Sequence, residues 1–361
     1  MTLKVLLDKI ARMSIWQYAN QLPAIPEEHQ ITLGEGNTPL LKSKNIGPEN
    51  GIDLYFKLEN CNPTGSYKDR FAAMAISQMR ADGKARCVAT SSGNTGAALA
   101  AYCAAAGIDC EIAIVETAPD GKLWQMQAYG AKLFRVRGFG LDSEISQRVT
   151  NYLHQLAERD DTELQISGFH YSPIGMSGVQ SISYEIAEQL PDVEFVFSPS
   201  GGGGLTLAVA RGFTKVLLER SPQIHCVQPA GNDTIASALR EGLSTARDIT
   251  CTSQISGLQV PYVIDGNEVI EACRASGGNG HIVDDENTWQ MQQRLAREEG
   301  VFCEPAGAVA LTGALQARRN GEIPDGAKVV CLVTGSGFKD QTSLQRMAGE
   351  ACPMLDVDEL G

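Results

Sequence analysis

The chain has 361 residues, of which 43% are hydrophobic and 20% are charged. This composition is globular, and it provides enough apolar material for one large domain or two of ordinary size. A formal net charge of −13 argues against nucleic acid as a partner.

Short apolar runs alternate with longer helical patterns along most of the chain, which is typical of parallel β-α-β units. The predicted strands lie at residues 54–59, 87–90, 110–115, 132–136, 164–167, 193–197, 224–228 and 328–333. The predicted helices lie at residues 71–79, 94–106, 121–129, 141–158, 176–189, 205–218, 269–275, 286–299 and 305–319. Residues 1–33 are predicted to form a helix and an arm in which Trp16 and Tyr18 pack inward. The order predicts a two-domain α/β fold, with a small domain (86–167) inserted in a large one (1–85 and 168–361).

The cysteines and histidines of the chain show no metal-binding or disulfide pattern. Ten cysteines are scattered without a CxxC pair, and several lie in apolar runs, namely Cys87, Cys103, Cys110, Cys226, Cys303 and Cys331. We interpret them as small core residues of a protein in a reducing cytosol. The five isolated histidines lack metal spacing, so no metal site is predicted. No signal peptide or membrane-spanning run is evident, so we expect a cytoplasmic protein without a membrane partner.

The stretch 62–70 (Asn-Pro-Thr-Gly-Ser-Tyr-Lys-Asp-Arg) places Lys68 at the start of a predicted helix, with Ser66 as the predicted N-cap. Amide groups in a first helical turn are unsatisfied, and the helix dipole disfavours a cation there. A lysine that is closer to a free amine suits a Schiff-base role. On this stretch alone, an ordinary surface lysine remains the alternative.

Two further motifs each follow a predicted strand and open a predicted helix. In Ser91-Ser92-Gly93-Asn94-Thr95, backbone amides and hydroxyls converge, which suits an anion such as an α-carboxylate; a plain N-cap is the alternative. The four glycines 201–204 would let the backbone approach a dianion closely. A flexible linker is the alternative for this loop, but the apolar strand and helix that flank it argue against a linker.

Two more motifs lie near the carboxyl end of the chain. Thr334 follows the last strong strand, where a simple turn is the alternative interpretation, and Ser336 is two residues further on. The run Glu304-Pro305-Ala306-Gly307-Ala308 precedes a predicted helix, and a helix start with proline at its first position is the alternative there.

Taken in this order, the motifs resemble the tryptophan-synthase-type (fold type II) family of pyridoxal-phosphate (PLP) enzymes, and the resemblance covers nearly the whole chain. The stretches 34–40, 63–70 and 332–340 are most similar to threonine synthases. The resemblance implies a homodimeric PLP-dependent lyase that performs elimination or replacement on an amino acid. It also implies a cofactor site formed by Lys68 as the Schiff-base lysine and Cα base, Asn94 at the phenolic oxygen, Gly201, Gly202, Gly203 and Gly204 at the phosphate, and Thr334 or Ser336 at the pyridine nitrogen. The substrate carboxylate would then contact Ser91, Ser92 and Thr95.

Two departures from the threonine synthase pattern leave the substrate open. The plain glycine loop resembles that of serine/threonine ammonia-lyases, and the stretch 171–178 lacks the arginine that grips a substrate phosphate in threonine synthases. Lys122 or Lys339 would have to supply that charge instead, with weaker help from His170 or Ser91. A serine/threonine ammonia-lyase (dehydratase) or a β-replacement synthase is therefore the alternative function, and a catalytically silent PLP-binding protein is the third.

Overall fold

A computed structural model describes residues 14–216, 221–260, 262–349 and 352–357. Within these ranges the strands form two sheets of six and four strands. The strands are β1 Leu40–Lys42, β2 Asp53–Leu58, β3 Arg86–Thr90, β4 Asp109–Ile114, β5 Lys132–Arg135, β6 Thr162–Leu164, β7 Phe195–Pro199, β8 Gln223–Pro229, β9 Gly280–Val283 and β10 Lys328–Val333.

The α-helices cover the faces of both sheets. They are α1 Ile46–Glu49, α2 Lys68–Ala81, α3 Asn94–Ala106, α4 Asp120–Ala128, α5 Ser143–Ala157, α6 Pro173–Val179, α7 Ser181–Gln189, α8 Gly204–Phe213, α9 Ala236–Arg240, α10 Gly266–Ala275, α11 Asp285–Glu299, α12 Pro305–Arg319 and α13 Gln341–Ala348. Short 3-10 helices occupy Ile15–Tyr18, Glu27–His29, Glu59–Cys61 and Gly337–Lys339. The prediction of an α/β fold with helix-flanked parallel sheets is confirmed.

The larger sheet has the order β1-β2-β10-β7-β8-β9, and only β1 runs antiparallel to its neighbour. Because the other strands are parallel, their carboxyl ends share one edge of the sheet. The glycine loop follows β7 and Thr334 follows β10, so both predicted cofactor segments leave the sheet at this edge. In open parallel sheets, this is the edge where ligands bind.

The smaller sheet has the order β5-β4-β3-β6 and is parallel throughout. Its strands come from residues 86–164, so it falls entirely within the range predicted for the small domain; the division into two domains itself stays a prediction. The turn 91–95 follows β3, and Ser167 lies three residues after β6. The carboxyl ends of these two strands meet at one edge because the strands are parallel neighbours.

The structure corrects several local expectations. The helix predicted for 176–189 is divided at Gln180 into α6 and α7. Helix α6 packs so closely on α2 that a Cβ at Gly178 would overlap the backbone oxygen of Arg70. Ser66 is not the N-cap: that position is Tyr67, and the hydroxyl of Ser66 lies 3.4 Å from the amide of Lys68. The strand predicted for 164–167 ends at Leu164, which leaves Ser167 in a loop.

The N-terminal arm is described from residue 14 onward, so most of the predicted first helix lies outside the described residues. Trp16 and Tyr18 are buried, as predicted, although they lie in a 3-10 helix. The indole nitrogen of Trp16 donates to the carbonyl oxygen of Ile31 at 2.9 Å, and the hydroxyl of Tyr18 donates to Glu188 at 2.8 Å. The helix predicted for 205–218 ends at Phe213 in the structure, and residues 217 and 218 lie outside the described residues.

All ten cysteines are free thiols, and the six predicted to be core residues are buried. Within the described ranges, no group of three or more histidine, cysteine, aspartate or glutamate side chains is placed to hold a metal ion. In the same ranges, no helix combines the length and the apolar character needed to cross a membrane.

Candidate active site

Three chain segments that are far apart in sequence join next to the carboxyl end of β10. The amide of Tyr67 donates to the carbonyl of Thr334 at 3.1 Å, and the amide of Ser336 donates to the carbonyl of Gly65 at 2.8 Å. On the other side, the amide of Glu304 donates to the carbonyl of Gly335 at 3.0 Å. The segment 334–336 therefore lies between the residues that precede Lys68 and the start of α12.

Lys68 is the first residue of α2, and its side chain reaches the smaller sheet. Its Nζ atom donates to the hydroxyl of Ser167 at 2.6 Å, and that hydroxyl lies 3.0 Å from Oγ1 of Thr95. The Nζ atom also lies 4.6 Å from the centroid of the Tyr67 ring. The structure thus brings together the predicted residues Lys68 and Thr95 through Ser167, which was not predicted as a site residue.

The two residues after Lys68 fix the first turn of α2 from inside the protein. Asp69 is buried and accepts hydrogen bonds from the amide of Thr64, at 2.7 Å, and from its hydroxyl. Burial raises the pKa of Asp69 to about 7, while these hydrogen bonds oppose the increase. Arg70 is also fully buried, with Glu59 at 2.7 Å and Glu185 at 2.6 Å. These buried contacts leave the helix start little freedom to move.

Asn94 contacts a buried carboxylate rather than capping its own helix. Its Nδ2 atom donates to Oε1 of Glu304 at 2.8 Å. Burial raises the pKa of Glu304 to about 7, although the cations Lys339 and Lys122 and the Asn94 amide all lower it. A Cβ at position 335 would overlap the Glu304 carboxylate, so only glycine fits between Thr334 and Ser336.

The three residues predicted to bind substrate do not share one environment. The hydroxyl of Ser91 accepts hydrogen bonds from the amides of Gly93, at 3.3 Å, and Gly96, at 3.1 Å. Ser91 therefore stabilises the turn that leads into α3, although the N-cap residue itself is Gly93. The role of Ser91 toward substrate stays a prediction. Ser92 is partly exposed, and Thr95 contacts Ser167 as described above.

The loop of Gly201, Gly202, Gly203 and Gly204 has geometry that other residues would not tolerate. Gly203 has a φ of +101°, and a Cβ there would lie 2.9 Å from Cγ2 of Val269. The loop leads directly into α8, whose first amides lack partners within the helix. Backbone amides at such a helix start form a site for an anionic group such as a phosphate.

Thr334 carries a buried polar atom without a partner. Its side chain is 4% exposed, and its Oγ1 atom makes no hydrogen bond with any described residue. A buried hydroxyl in this state costs free energy unless a bound group pairs with it. Ser336, the second candidate for the same contact, is partly exposed.

These residues match the chemistry of PLP. The cofactor carries an aldehyde for an amine, a phosphate for a glycine-rich helix start, and ring oxygen and nitrogen atoms for polar side chains. Each of these groups has a partner in this chain. The Lys68 amine suits the aldehyde, the loop 201–204 suits the phosphate, and the Asn94 amide and the Thr334 hydroxyl suit the ring oxygen and nitrogen.

Sequence reasoning missed Ser167 and the pairing of Glu304 with Asn94. The sequence places Ser167 at the end of a predicted strand. That strand lies next to the one that leads to the turn 91–95, and this position is the signal that could have identified Ser167 as a site residue. Local sequence places Glu304 only in a motif that precedes a predicted helix, because its partner Asn94 lies 210 positions away.

Comparison with known proteins agrees with the geometry. Residues 31–335 match the family model of pyridoxal-phosphate dependent enzymes. Threonine synthase from Halalkalibacterium halodurans is 32% identical, and the alignment covers 96% of each chain. Threonine synthase from Methanocaldococcus jannaschii is also 32% identical, over 96% of this chain and 86% of that protein.

Solved structures share the fold. Threonine deaminase isoform 2 from Solanum lycopersicum superposes with a TM-score of 0.76 at 22% identity, covering 92% of each chain. Maize serine racemase superposes with a TM-score of 0.74 at 25% identity, covering 87% of this chain and 92% of that one. With a family match over most of its length and threonine synthases at 32% identity, this chain belongs to the fold type II family of pyridoxal-phosphate dependent enzymes.

Proposed function

We propose that this PLP-dependent lyase acts as a threonine synthase, converting O-phospho-L-homoserine and water to threonine and phosphate. The observation that carries the proposal is the placement of the Lys68 amine at the meeting point of the two sheets, 2.6 Å from Ser167. Threonine synthases at 32% identity over nearly the full chain supply the reaction.

Each predicted site residue has a role in this proposal. When bound, PLP withdraws electrons from the Cα atom of an attached amino acid. Asn94 and Thr334 would contact its ring, and the amides of residues 201–204 would bind its phosphate. Lys68 Nζ would take the Cα proton and return a proton later, and the hydroxyl of Ser167 would orient this amine.

The neutral hydroxyl of Thr334 affects which reaction is favoured. A hydroxyl cannot hold the pyridine nitrogen protonated as a carboxylate would, so the ring withdraws electrons less strongly. A weaker electron sink favours prompt departure of the leaving group over a long-lived carbanion. The turn 91–95 would receive the substrate carboxylate through its backbone amides and through Ser92 and Thr95.

A serine/threonine ammonia-lyase is the second candidate, because no cation is present in the segment expected to bind a substrate phosphate. Residues 171–178 contain no lysine or arginine. Their helix α6 packs tightly on α2, where a Cβ at Gly175 would lie 2.6 Å from the Phe71 ring. A dianion at this place would lack the cationic partner that phosphate sites usually have.

Product analysis separates the two candidates. Purified holoenzyme is incubated in parallel with O-phospho-L-homoserine, L-serine and L-threonine, and phosphate, threonine, 2-oxoacid and ammonia are measured. Equal amounts of phosphate and threonine are expected from the first substrate. A 2-oxoacid and ammonia from L-serine or L-threonine alone would instead identify an ammonia-lyase.

The role of Lys68 is tested without turnover. Borohydride reduction of the holoenzyme should attach the cofactor to the peptide that contains Lys68, as mass spectrometry would show. Lys68→Ala should retain no reducible cofactor, whereas Lys122→Ala, the matched change in α4, should still be labelled. Labelling of a peptide without Lys68 would contradict the assignment.

We also propose a homodimer with two domains per chain, located in the cytoplasm. The smaller sheet is built entirely from residues 86–164, which supports a separate small domain. The ten free thiols are consistent with a reducing compartment. Light scattering should give twice the chain mass of 38.7 kDa; a monomer mass would contradict the dimer.

A further inference from the structure

A cavity of about 310 Å³ lies beside the candidate active site. Its wall combines the start of α4, the loop 254–259 and the start of α13. Lys122 comes from α4, and Arg346 comes from α13; Lys339 and Asp340 precede α13. We call this space the cationic cavity.

The charged residues that line the cationic cavity leave an excess of positive charge. Lys122, Lys339 and Arg346 are opposed only by Asp340 among the lining residues, so three positive charges face one negative charge. Such an excess is unusual in a chain with a net charge of −13. The cavity therefore favours an anion that carries about two negative charges.

The polar groups of the cavity are arranged around its space. Lys122 donates to the hydroxyl of Ser256, and its Nζ atom is 3.9 Å from the Asp340 carboxylate. Asp340 accepts a hydrogen bond from the amide of Ser343 at 2.9 Å, so this carboxylate also caps the start of α13. Nζ of Lys339 donates to Oε1 of Gln125. Asp340 is thus the single carboxylate among the lining residues that opposes the three cations.

Arg346 is held in a position that suits a phosphate. Its guanidinium carbon lies 3.3 Å from the centroid of the Trp289 ring. Stacking on an aromatic ring covers one face of a guanidinium. The N–H groups at its edges stay available for in-plane hydrogen bonds to an oxyanion.

The cationic cavity adjoins the candidate active site through Lys339 and Pro305. Gly65 lies three residues before Lys68. The Cε atom of Lys339 is 3.2 Å from the position that a Cβ atom on Gly65 would occupy. Burial lowers the pKa of Lys339, whereas Glu304 and Asp69 raise it. Pro305 lines the cavity and directly follows Glu304, the partner of Asn94.

We propose that the cationic cavity is a binding site for a phosphate dianion, and that it receives the distal phosphate of the substrate. The second part rests on the proposed function. The site supplies the cationic contact that residues 171–178 lack, with Lys122 on α4 and with Lys339 and Arg346 more than two hundred positions later. Free inorganic phosphate offers the same chemistry, and the experiment separates the two sources.

The binding test uses inorganic phosphate and calorimetry on the holoenzyme. Lys122→Gln and Arg346→Gln should each weaken phosphate binding about tenfold or more, because each removes a charge-assisted contact. Lys132→Gln, an exposed residue on β5 that makes the same charge change, should leave the dissociation constant unchanged. Equal phosphate binding in wild type and both variants would overturn the proposal.

The substrate test compares O-phospho-L-homoserine with L-vinylglycine, which has the carbon skeleton left when phosphate departs. In Arg346→Gln, KM for the phosphorylated substrate should rise about tenfold, whereas kcat/KM for L-vinylglycine should not change. Equal losses on both substrates would overturn the assignment to the substrate phosphate. Arg346→Lys, which keeps the charge but loses the planar fork, should recover part of the KM change.

The two tests can fail separately from the proposed function. If wild-type enzyme releases no phosphate from O-phospho-L-homoserine, the proposed function fails. Phosphate binding that is lost in Lys122→Gln and Arg346→Gln would then still support the site, with free phosphate as its ligand. Equal thermal midpoints of wild type and variants would exclude unfolding as the cause.

Discussion

Asn94, at the start of α3, donates a hydrogen bond of 2.8 Å to Glu304, which lies 210 positions later at the start of α12. The contact joins the turn after β3 of the smaller sheet to the segment beside β10 of the larger sheet. Glu304 is buried and forms no ion pair with any residue of the described ranges, although Lys339 and Lys122 are near enough to lower its pKa. The carboxyl therefore stays protonated to a higher pH than usual.

Glu304 should make the enzyme less stable as the pH rises. Its pKa is about 7 in the folded protein, against 4.5 for an exposed glutamate. The folded state thus holds the proton more tightly, and this contribution is present below pH 4.5 and is lost as the pH rises through 7. In Glu304→Gln, the fall in unfolding free energy between pH 5 and pH 8 should be smaller by on the order of 1–3 kcal/mol.

Urea unfolding at a series of pH values measures this difference. Glu268→Gln, an exposed change on α10, serves as the control and should follow the wild-type profile. Identical pH profiles for wild type and Glu304→Gln would show that the carboxyl ionises normally.

The buried ion pairs around Arg70 should be essential for stability. Arg70 is fully buried and donates to Glu59 at 2.7 Å and to Glu185 at 2.6 Å, and Lys57 also donates to Glu185 at 2.6 Å. Replacing Arg70 with methionine would leave buried carboxylates without their main partner, at a cost of about 3–5 kcal/mol.

Chemical denaturation would measure the loss. The control Arg247→Ala breaks a pair with Glu241 whose side chains are 51% and 48% exposed. Such a pair contributes no more than about 1 kcal/mol. If the two variants lost similar free energy, the network around Arg70 would not fix the start of α2.

The fold and most of the candidate site could be anticipated from local patterns. The order of strands and helices follows from apolar periodicity, and Lys68, Asn94 and the glycine loop lie in short motifs at strand ends. Ser167 could not be found in this way, because its contacts with Lys68 and Thr95 span 99 and 72 positions. The pairing of β3 with β6 brings Ser167 close to Thr95, and the contact with Lys68 forms only when the two sheets are placed together.

The cationic cavity shows the same limit. The sequence suggests Lys122 and Lys339 as sources of positive charge, but no local sequence pattern indicates that they share a cavity with Arg346. The single helix predicted for 176–189 was also wrong: its apolar period continues across Gln180, whereas the structure divides the helix there into α6 and α7.

Two buried histidines should remain neutral in mildly acidic solution. Nδ1 of His225 lies 2.9 Å from Nε2 of His281, and the His225 ring stacks on Phe197. Burial, the neighbouring His281 and the Arg240 guanidinium together lower the pKa of His225 to about 3, against an ordinary 6.5. Burial and Arg240 lower the pKa of His281 to about 4.

The unfolded chain therefore binds more protons than the folded protein between pH 6.5 and about 4, so stability should fall as the pH falls through this window. Imidazole NMR signals of His225 and His281, assigned through His225→Gln and His281→Gln, should keep their neutral positions at pH 5. A titration midpoint near 6.5 for either histidine would contradict the burial argument.

Gly203 should be required for PLP binding. Its φ of +101° is strained for other residues, and a Cβ there would lie 2.9 Å from Val269 and 3.2 Å from Ile235. Gly203→Ala would have to shift the loop that leads into α8, whose amides would bind the cofactor phosphate. We expect PLP affinity to fall about tenfold or more, measured by titrating apoenzyme and following absorbance.

Gly83→Ala is the matched control, because Gly83 also has a positive φ, of +70°, but no atom within 4 Å of its Cβ position. That variant should lose about 1 kcal/mol of stability and bind PLP as the wild type does. Equal affinity in both variants would mean that the loop does not hold the cofactor phosphate.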